Sequence, residues 1–419
     1  MVASQLISSR SKTDLVVEAL DGLVRKYHFS LNQIFGEQVK NLTIDDMDEK
    51  TELLDELESI LLPLIKQQIN SILHSLDLRD CEILPTPDFE LTLEILSNLD
   101  QTLERTISSI ERISLESPMP AETHDYHLKH CKEFRCSRLL WRIKAVVEGH
   151  LCELFRNFIQ FIRVWELSDS HPESLEHRTK IFQKETEVLR ITAHSDHSID
   201  AIIALFRKSD LEIIQEEWLA AAESLDSVLE FLIMLSNCTI DSKKEGIAGP
   251  ADHRTNGQGA EIVGVAGLTI PLVKLARIFL NKLAKRTTEE YPFKLDTELN
   301  SETLNLLHQD PVSIAERLDQ FVRTLWMIHK RNEPINNKDG IRTSLNGISK
   351  SLESTSLILA AHLTPLPHQS QWCSSEPHFK TWLLTLKNLW YRAMEHFLNG
   401  LDCVGGGEYE QPRQQEPEH

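Results

Sequence analysis

Glycine and proline are scarce in this chain, 15 and 16 among 419 residues. They gather between long periodic stretches and do not recur roughly every 8–12 residues, which excludes a sandwich or barrel of short strands. Positive charge is also short: 44 Lys+Arg face 64 Asp+Glu, a formal charge of −20. A phosphate-backbone binder needs the opposite balance, so no nucleic-acid partner is expected. The seven cysteines, at 81, 131, 136, 152, 238, 373 and 403, are odd in number and contain no C-x-x-C pair, so neither a zinc knuckle nor a disulfide framework is written here. Long apolar runs are missing as well. Leu229–Leu235 is short, and Ile270–Leu283 is interrupted by Lys274, Arg277, Asn281 and Lys282, so no membrane span is expected. Met1–Lys12 has no continuous apolar core of a signal peptide; the expectation is reduced thiols in a cytoplasmic or nuclear protein.

What is present is helical periodicity from end to end. At 41% hydrophobic residues the chain has enough apolar matter for a core, and wholesale disorder is excluded. Thr13 opens a segment with Leu15, Ala19, Leu23, Val24 and Tyr27 on one side. Asp45–Glu49 lead into Leu53, Leu57, Ile60, Leu61, Leu64 and Ile65, with acidic residues placed where a helix dipole favours them and Pro63 predicting a kink. After Leu84-Pro-Thr-Pro87, apolar residues from Leu96 to Ile113 recur at three and four. A single long helix is expected from about Glu122 to Leu167, then helices over 173–207, 211–235, 260–288, 300–331, 340–364 and 377–403. The fold class is therefore all-α: an elongated or two-lobed antiparallel helical bundle with long helices.

At this length more than one core is expected. Residues 241–259 are polar and glycine-rich, too long for an ordinary helix–helix turn, so they are expected to be a flexible loop between an N-terminal bundle (1–240) and a C-terminal bundle (260–403). Residues 404–419 read as a flexible, mostly acidic and disordered tail.

The catalytic motifs that carry a mechanism in their spacing are absent: there is no G-x-x-x-x-G-K-[ST], H-E-x-x-H, G-x-S-x-G or EF-hand loop. Three features remain. His124, His127, His130 and Cys131 are ligand types zinc prefers, and an α-helix would stack them on one face, but a single helix rarely supplies a whole tetrahedral site, so they are weak metal candidates. His194-Ser-Asp-His197 is a weaker version of the same pattern. The second feature is a basic amphipathic helix in an acidic chain, with Lys274, Arg277, Lys282, Lys285 and Arg286 bordering Leu272, Val273, Ala276, Phe279, Leu280 and Leu283. Its apolar side is expected in the core, and its basic side is a docking surface for an acidic partner. The third is tryptophan. Trp141, Trp165, Trp218, Trp326, Trp382 and Trp390 fall within helical apolar patterns as core anchors, whereas Trp372, in the Pro365–Pro377 loop, is a candidate partner contact.

The segments Asp210-Leu-Glu-Ile-Ile-Gln-Glu-Glu-Trp218, Thr269–Arg286, Asp125-Tyr-His-Leu-Lys129 with Phe134-Arg-Cys136, and Pro85–Leu96 resemble signatures of an expanded family of all-α proteins of rust fungi. His127 and Cys136 recur in that pattern; His124 and His130 do not. The resemblance covers about residues 50 to 400 and implies a fold without an activity. A looser architectural similarity, strongest in 269–286, is to helical bundles of the cyclin-D-binding-protein type. The resulting expectation is an intracellular, non-catalytic helical interaction or adaptor protein with an unidentified protein partner and no cofactor. The alternative is a ligand- or metal-binding bundle with a site between helices.

Overall fold

The computed structural model describes residues 11–29, 44–78, 85–114, 125–169, 175–241, 255–284, 293–295, 299–331, 333–365 and 375–403. The fold is all-α, as the periodicity predicts. Among the described residues the β structure is one antiparallel ribbon of two three-residue strands, β1 (Phe293–Leu295) and β2 (Leu363–Pro365). The helices gather into two compact units, Met1–Lys208 and Ser209–His419.

This division corrects the expected boundary at 241–259. Helices α8 (Asp210–Asp241) and α9 (Thr255–Ala284) flank that stretch and pack on each other, so it joins neighbours of one unit. Thr255–Gly259, expected as loop, open α9; residues 242–254 and the tail 404–419 lie outside the described residues. The local signals at the true boundary are a helix stop and a helix start. The last carbonyls of the helix ending at Arg207 are held by Arg135. Ser209 then forms a reciprocal capping box, its N–H and hydroxyl donating to Glu212 Oε2 at 2.7 and 2.8 Å while the Glu212 N–H donates to Ser209 Oγ.

The first unit holds α1 (Lys12–Tyr27), α2 (Ile44–Glu56), α3 (Leu62–Ser75), α4 (Phe89–Ser114), α5 (Glu133–Lys144), α6 (Cys152–Asp169) and α7 (Leu175–Arg207). In α1, Asp14 sits in the first turn and Arg25 and Lys26 in the last, each where the helix dipole favours it. Its buried stripe, Val16, Leu20, Leu23, Val24 and Tyr27, packs on α4 and α6. Lys26 Nζ and Tyr27 Oη fasten the same helix to Asp100 on α4. Between α2 and α3 the Pro63 distortion takes the form of a π-helical turn, Leu57–Leu61. Proline offers no N–H to the carbonyl four residues back, and the wider turn absorbs that mismatch. Asp88 caps α4 by accepting the Leu91 N–H at 3.1 Å.

The long fourth helix starts later than expected. Asp125–Cys131 is a 3-10 segment broken at Lys129 (φ 47°), and Asp125 Oδ2 accepts the Glu133 N–H at 3.1 Å to start α5. From there α5, a second π-helical turn (Ala145–Leu151) and α6 follow one another without a gap. Trp141 departs from its expected role: it is 55% exposed, with Lys144 Nζ 5.2 Å from its ring.

The second unit holds α8, α9, α10 (Ser301–Arg331), α11 (Lys338–His362) and α12 (Ser375–Cys403). Asn300 and Asn337 cap α10 and α11 by accepting the Thr303 and Gly340 N–H groups. Trp218 and Trp390, 1% and 2% exposed, anchor the core as expected. Pro311 inside α10 cannot supply the N–H that the Leu307 carbonyl needs, and the Trp218 Nε1–H donates to that carbonyl at 2.8 Å instead. Trp390 Nε1 donates to Ser349 Oγ on α11, also at 2.8 Å. The segment Gly259–Ala284 is the one described helix long and apolar enough to cross a membrane, a match the interrupted stretch Ile270–Leu283 had hidden. In the unit its Leu272, Val273, Ala276, Phe279 and Leu280 are fully buried, and α9 packs against α8, α10 and α12.

Candidate functional site

One of the candidate metal residues, His130, reaches a cavity of about 110 Å³ in the first unit. Asp55 at the end of α2, Glu58 on the π-helical turn that follows it, His130 and Cys136 around the start of α5, and Leu205 on the last turn of α7 line it. Arg135 forms one wall. Arg135 is 8% exposed, and its guanidinium donates to the carbonyls of Leu205, Phe206 and Lys208 at 3.2, 3.3 and 2.8 Å. A cation there answers both the unpaired carbonyls and the negative end of the α7 dipole. Glu58 pairs with Arg207 at 2.9 Å on the rim.

The thiols beside this cavity are not poised for reaction. Burial pushes the Cys136 thiol up to about 12, and burial also raises Cys131, against the hydroxyl of Thr51 at 3.7 Å. Both stay protonated at neutral pH, whereas a nucleophile or a metal ligand must be the thiolate. The expected helical face of His124, His127, His130 and Cys131 does not form. The 3-10 segment broken at Lys129 replaces the α-helix that such a stack requires, and His124 and the side chain of His127 lie outside the described residues. His130 is exposed and Cys131 buried. Among the described residues no three His, Cys, Asp or Glu side chains converge as a metal site.

A pair the sequence pattern did not show lies elsewhere in this unit. His150, on the second π-helical turn, faces His194 on α7, Nε2 to Nε2 at 3.2 Å. Burial and then the neighbouring His194 hold the His150 imidazole below its ordinary range, against the pull of Glu153. Its Nδ1 is buried with no hydrogen-bond partner. The sequence had grouped His194 with His197; the partner instead comes from 44 positions earlier and is brought in by the packing of the π-turn on α7.

The basic helix is largely built into the second unit. Arg277 pairs with Asp226 on α8 at 2.5 Å, and the Gln215 side chain donates to the Leu283 carbonyl, so α8 and α9 run antiparallel. Lys274 is exposed and Lys282 half-buried, while Lys285, Arg286 and Trp372 lie outside the described residues. A different surface emerges on α11 and α12. Lys387 and Tyr391 both meet Glu353 Oε1, at 2.7 and 2.8 Å, and Trp390 meets Ser349, so these helices are antiparallel too. That register brings Leu357 and Leu384 to the same level beyond the ion pair, and they are 71% and 63% exposed.

Both units match family models without an assigned function. Residues 50–207 match a domain of unknown function (DUF8723), and residues 209–399 match another (DUF8721). The two matches meet where the units divide and where the Ser209–Glu212 box begins α8. No curated protein and no solved structure matches the chain.

Proposed function

We propose that the protein is a non-catalytic helical interaction module that docks an apolar partner helix across α11 and α12. The observation carrying this reading is that Leu357 and Leu384, both mostly in water, fall at one level of the antiparallel α11–α12 pair, one turn beyond the Glu353–Lys387–Tyr391 contacts. An apolar patch with a polar rim is the common anatomy of an interface, because burying the leucines supplies the driving force while the rim selects the partner. The face is supported from beneath by Trp390 and its bond to Ser349, so docking needs little reordering of the unit.

The test is affinity capture with the full chain against the double variant Leu357→Asp/Leu384→Asp, both folded by circular dichroism. The reading expects a near-stoichiometric partner whose recovery falls at least tenfold with the variant. Equal recovery refutes docking at this face. Lys274→Glu, run beside it, examines the exposed cation of α9 separately; a loss there alone moves the interface to α9.

A further inference from the structure

We propose that His150 and His194 form a two-imidazole site for Zn²⁺ that clasps the π-helical turn Ala145–Leu151 to α7, independently of the docking face. Their Nε2 atoms lie 3.2 Å apart. With zinc–nitrogen bonds of about 2.0–2.1 Å, two nitrogens at that separation subtend about 100–106° at the metal, close to the tetrahedral angle. The ring centroids are 4.4 Å apart at an interplanar angle of 60°, so the nitrogen spacing suits zinc and both rings must swing outward to aim their lone pairs at the ion. Imidazole is among the ligands zinc prefers, and the two rings come from separate packed elements, so their vectors converge in a way that three histidines along one helix cannot.

The surroundings favour a cation. The ring pair reaches solvent, which gives an ion a path in. Glu153 lies three residues beyond His150 and is exposed, near enough to act on the charge of His150 and of Arg190. No third protein ligand closes on the pair among the described residues, so water completes the coordination and the site is an exchangeable one. Without metal, one ring donates its Nε2–H to the other, and the buried His150 Nδ1 is an unpaired acceptor if His150 donates or an unpaired N–H if His194 does; with metal, the same atom carries an unpaired proton. Both states bear that cost, so the orphaned nitrogen does not disfavour the ion.

The π-turn is what places His150. A π-helical turn encloses one residue more than an α-helical turn, and the added residue changes the direction in which the following side chains leave the helix. Such turns recur at functional sites for this reason, and this one packs on α7.

The experiment is zinc protection of His194 in the full chain after chelator treatment. Carbethoxylation by diethyl pyrocarbonate, read by peptide mass spectrometry, is measured with and without ZnCl₂. Modification of His194 is expected to fall at least fivefold with zinc in the native chain and to be unaffected by zinc in His150→Gln. Equal modification of His194 with and without saturating zinc overturns the proposal, as does protection that survives in a folded His150→Gln. Should His150→Gln not fold, the exposed His194→Gln serves: isothermal titration must then lose one zinc equivalent relative to the native chain, and an unchanged count also overturns the site.

Discussion

Pro311 interrupts α10, yet the carbonyl it deprives is not left bare, because the Trp218 indole N–H reaches Leu307 O at 2.8 Å from α8. Trp218→Phe keeps an aromatic ring in a site that is 1% exposed but removes that donor. A buried carbonyl without a partner costs about 1–3 kcal/mol. The space vacated by the smaller ring adds about 1 kcal/mol at about 24 cal/mol per Å³ of cavity. The expected loss is about 2–4 kcal/mol. Pro311→Ala supplies a main-chain N–H in the right place, so it should restore about 1–2 kcal/mol in the Trp218→Phe background beyond whatever it does in the native chain. Urea unfolding followed by hydrogen exchange of α8 and α10 peptides reads the second unit apart from the first, which matters because two units need not unfold together. The decisive quantity is the coupling. If Pro311→Ala shifts stability equally in both backgrounds, to within about 0.5 kcal/mol, the indole does not substitute for the missing helical donor.

Two further outcomes concern the first unit. Arg135→Ala strips three carbonyls of the α7 terminus of their cation and should cost about 3–4 kcal/mol in urea unfolding, while Arg135→Lys recovers only part because it offers one point of contact where the guanidinium offers a fork; a change no larger than that of the exposed Lys180→Ala shows the capping to be idle. High pH should loosen the same unit, since the Cys136 and Cys152 thiols are pushed up to about 12 and about 11 by burial. The unfolded chain releases those protons first, near pH 9, so it binds fewer protons than the native state and stability falls between about pH 9 and 12, by up to about 4 kcal/mol from Cys136. Cys136→Ala should flatten that slope in a pH series of urea midpoints, and an unchanged slope counts against the buried thiol.

The helices were legible because their apolar residues repeat at three and four, and that period survives without knowledge of any partner. What stayed hidden was set by distance along the chain. Trp218 reads as a core anchor, but its duty to Leu307 depends on a proline 93 positions away. His194 pairs with His197 in sequence, while its spatial partner His150 is placed by a π-turn that periodicity cannot register. The unit boundary has a local signal of its own: Ser209-Asp-Leu-Glu212 is a readable helix start, but in composition it is far less conspicuous than the glycine-rich stretch after Asp241. Trp141 fits an apolar period and is nevertheless exposed, since a period does not say which face has a neighbour.

The π-turns also bear on how relatives of this chain should be aligned. Each holds one residue more than the α-turn it replaces. Deleting a single residue from Ala145–Leu151 lets the run close into plain α-helix while Glu133–Lys144 and Cys152–Asp169 keep the faces they already bury. A one-residue gap at this point therefore records a change of local winding and not a change of architecture. A relative one residue shorter there keeps the bundle and parts with the geometry that sets His150 against His194.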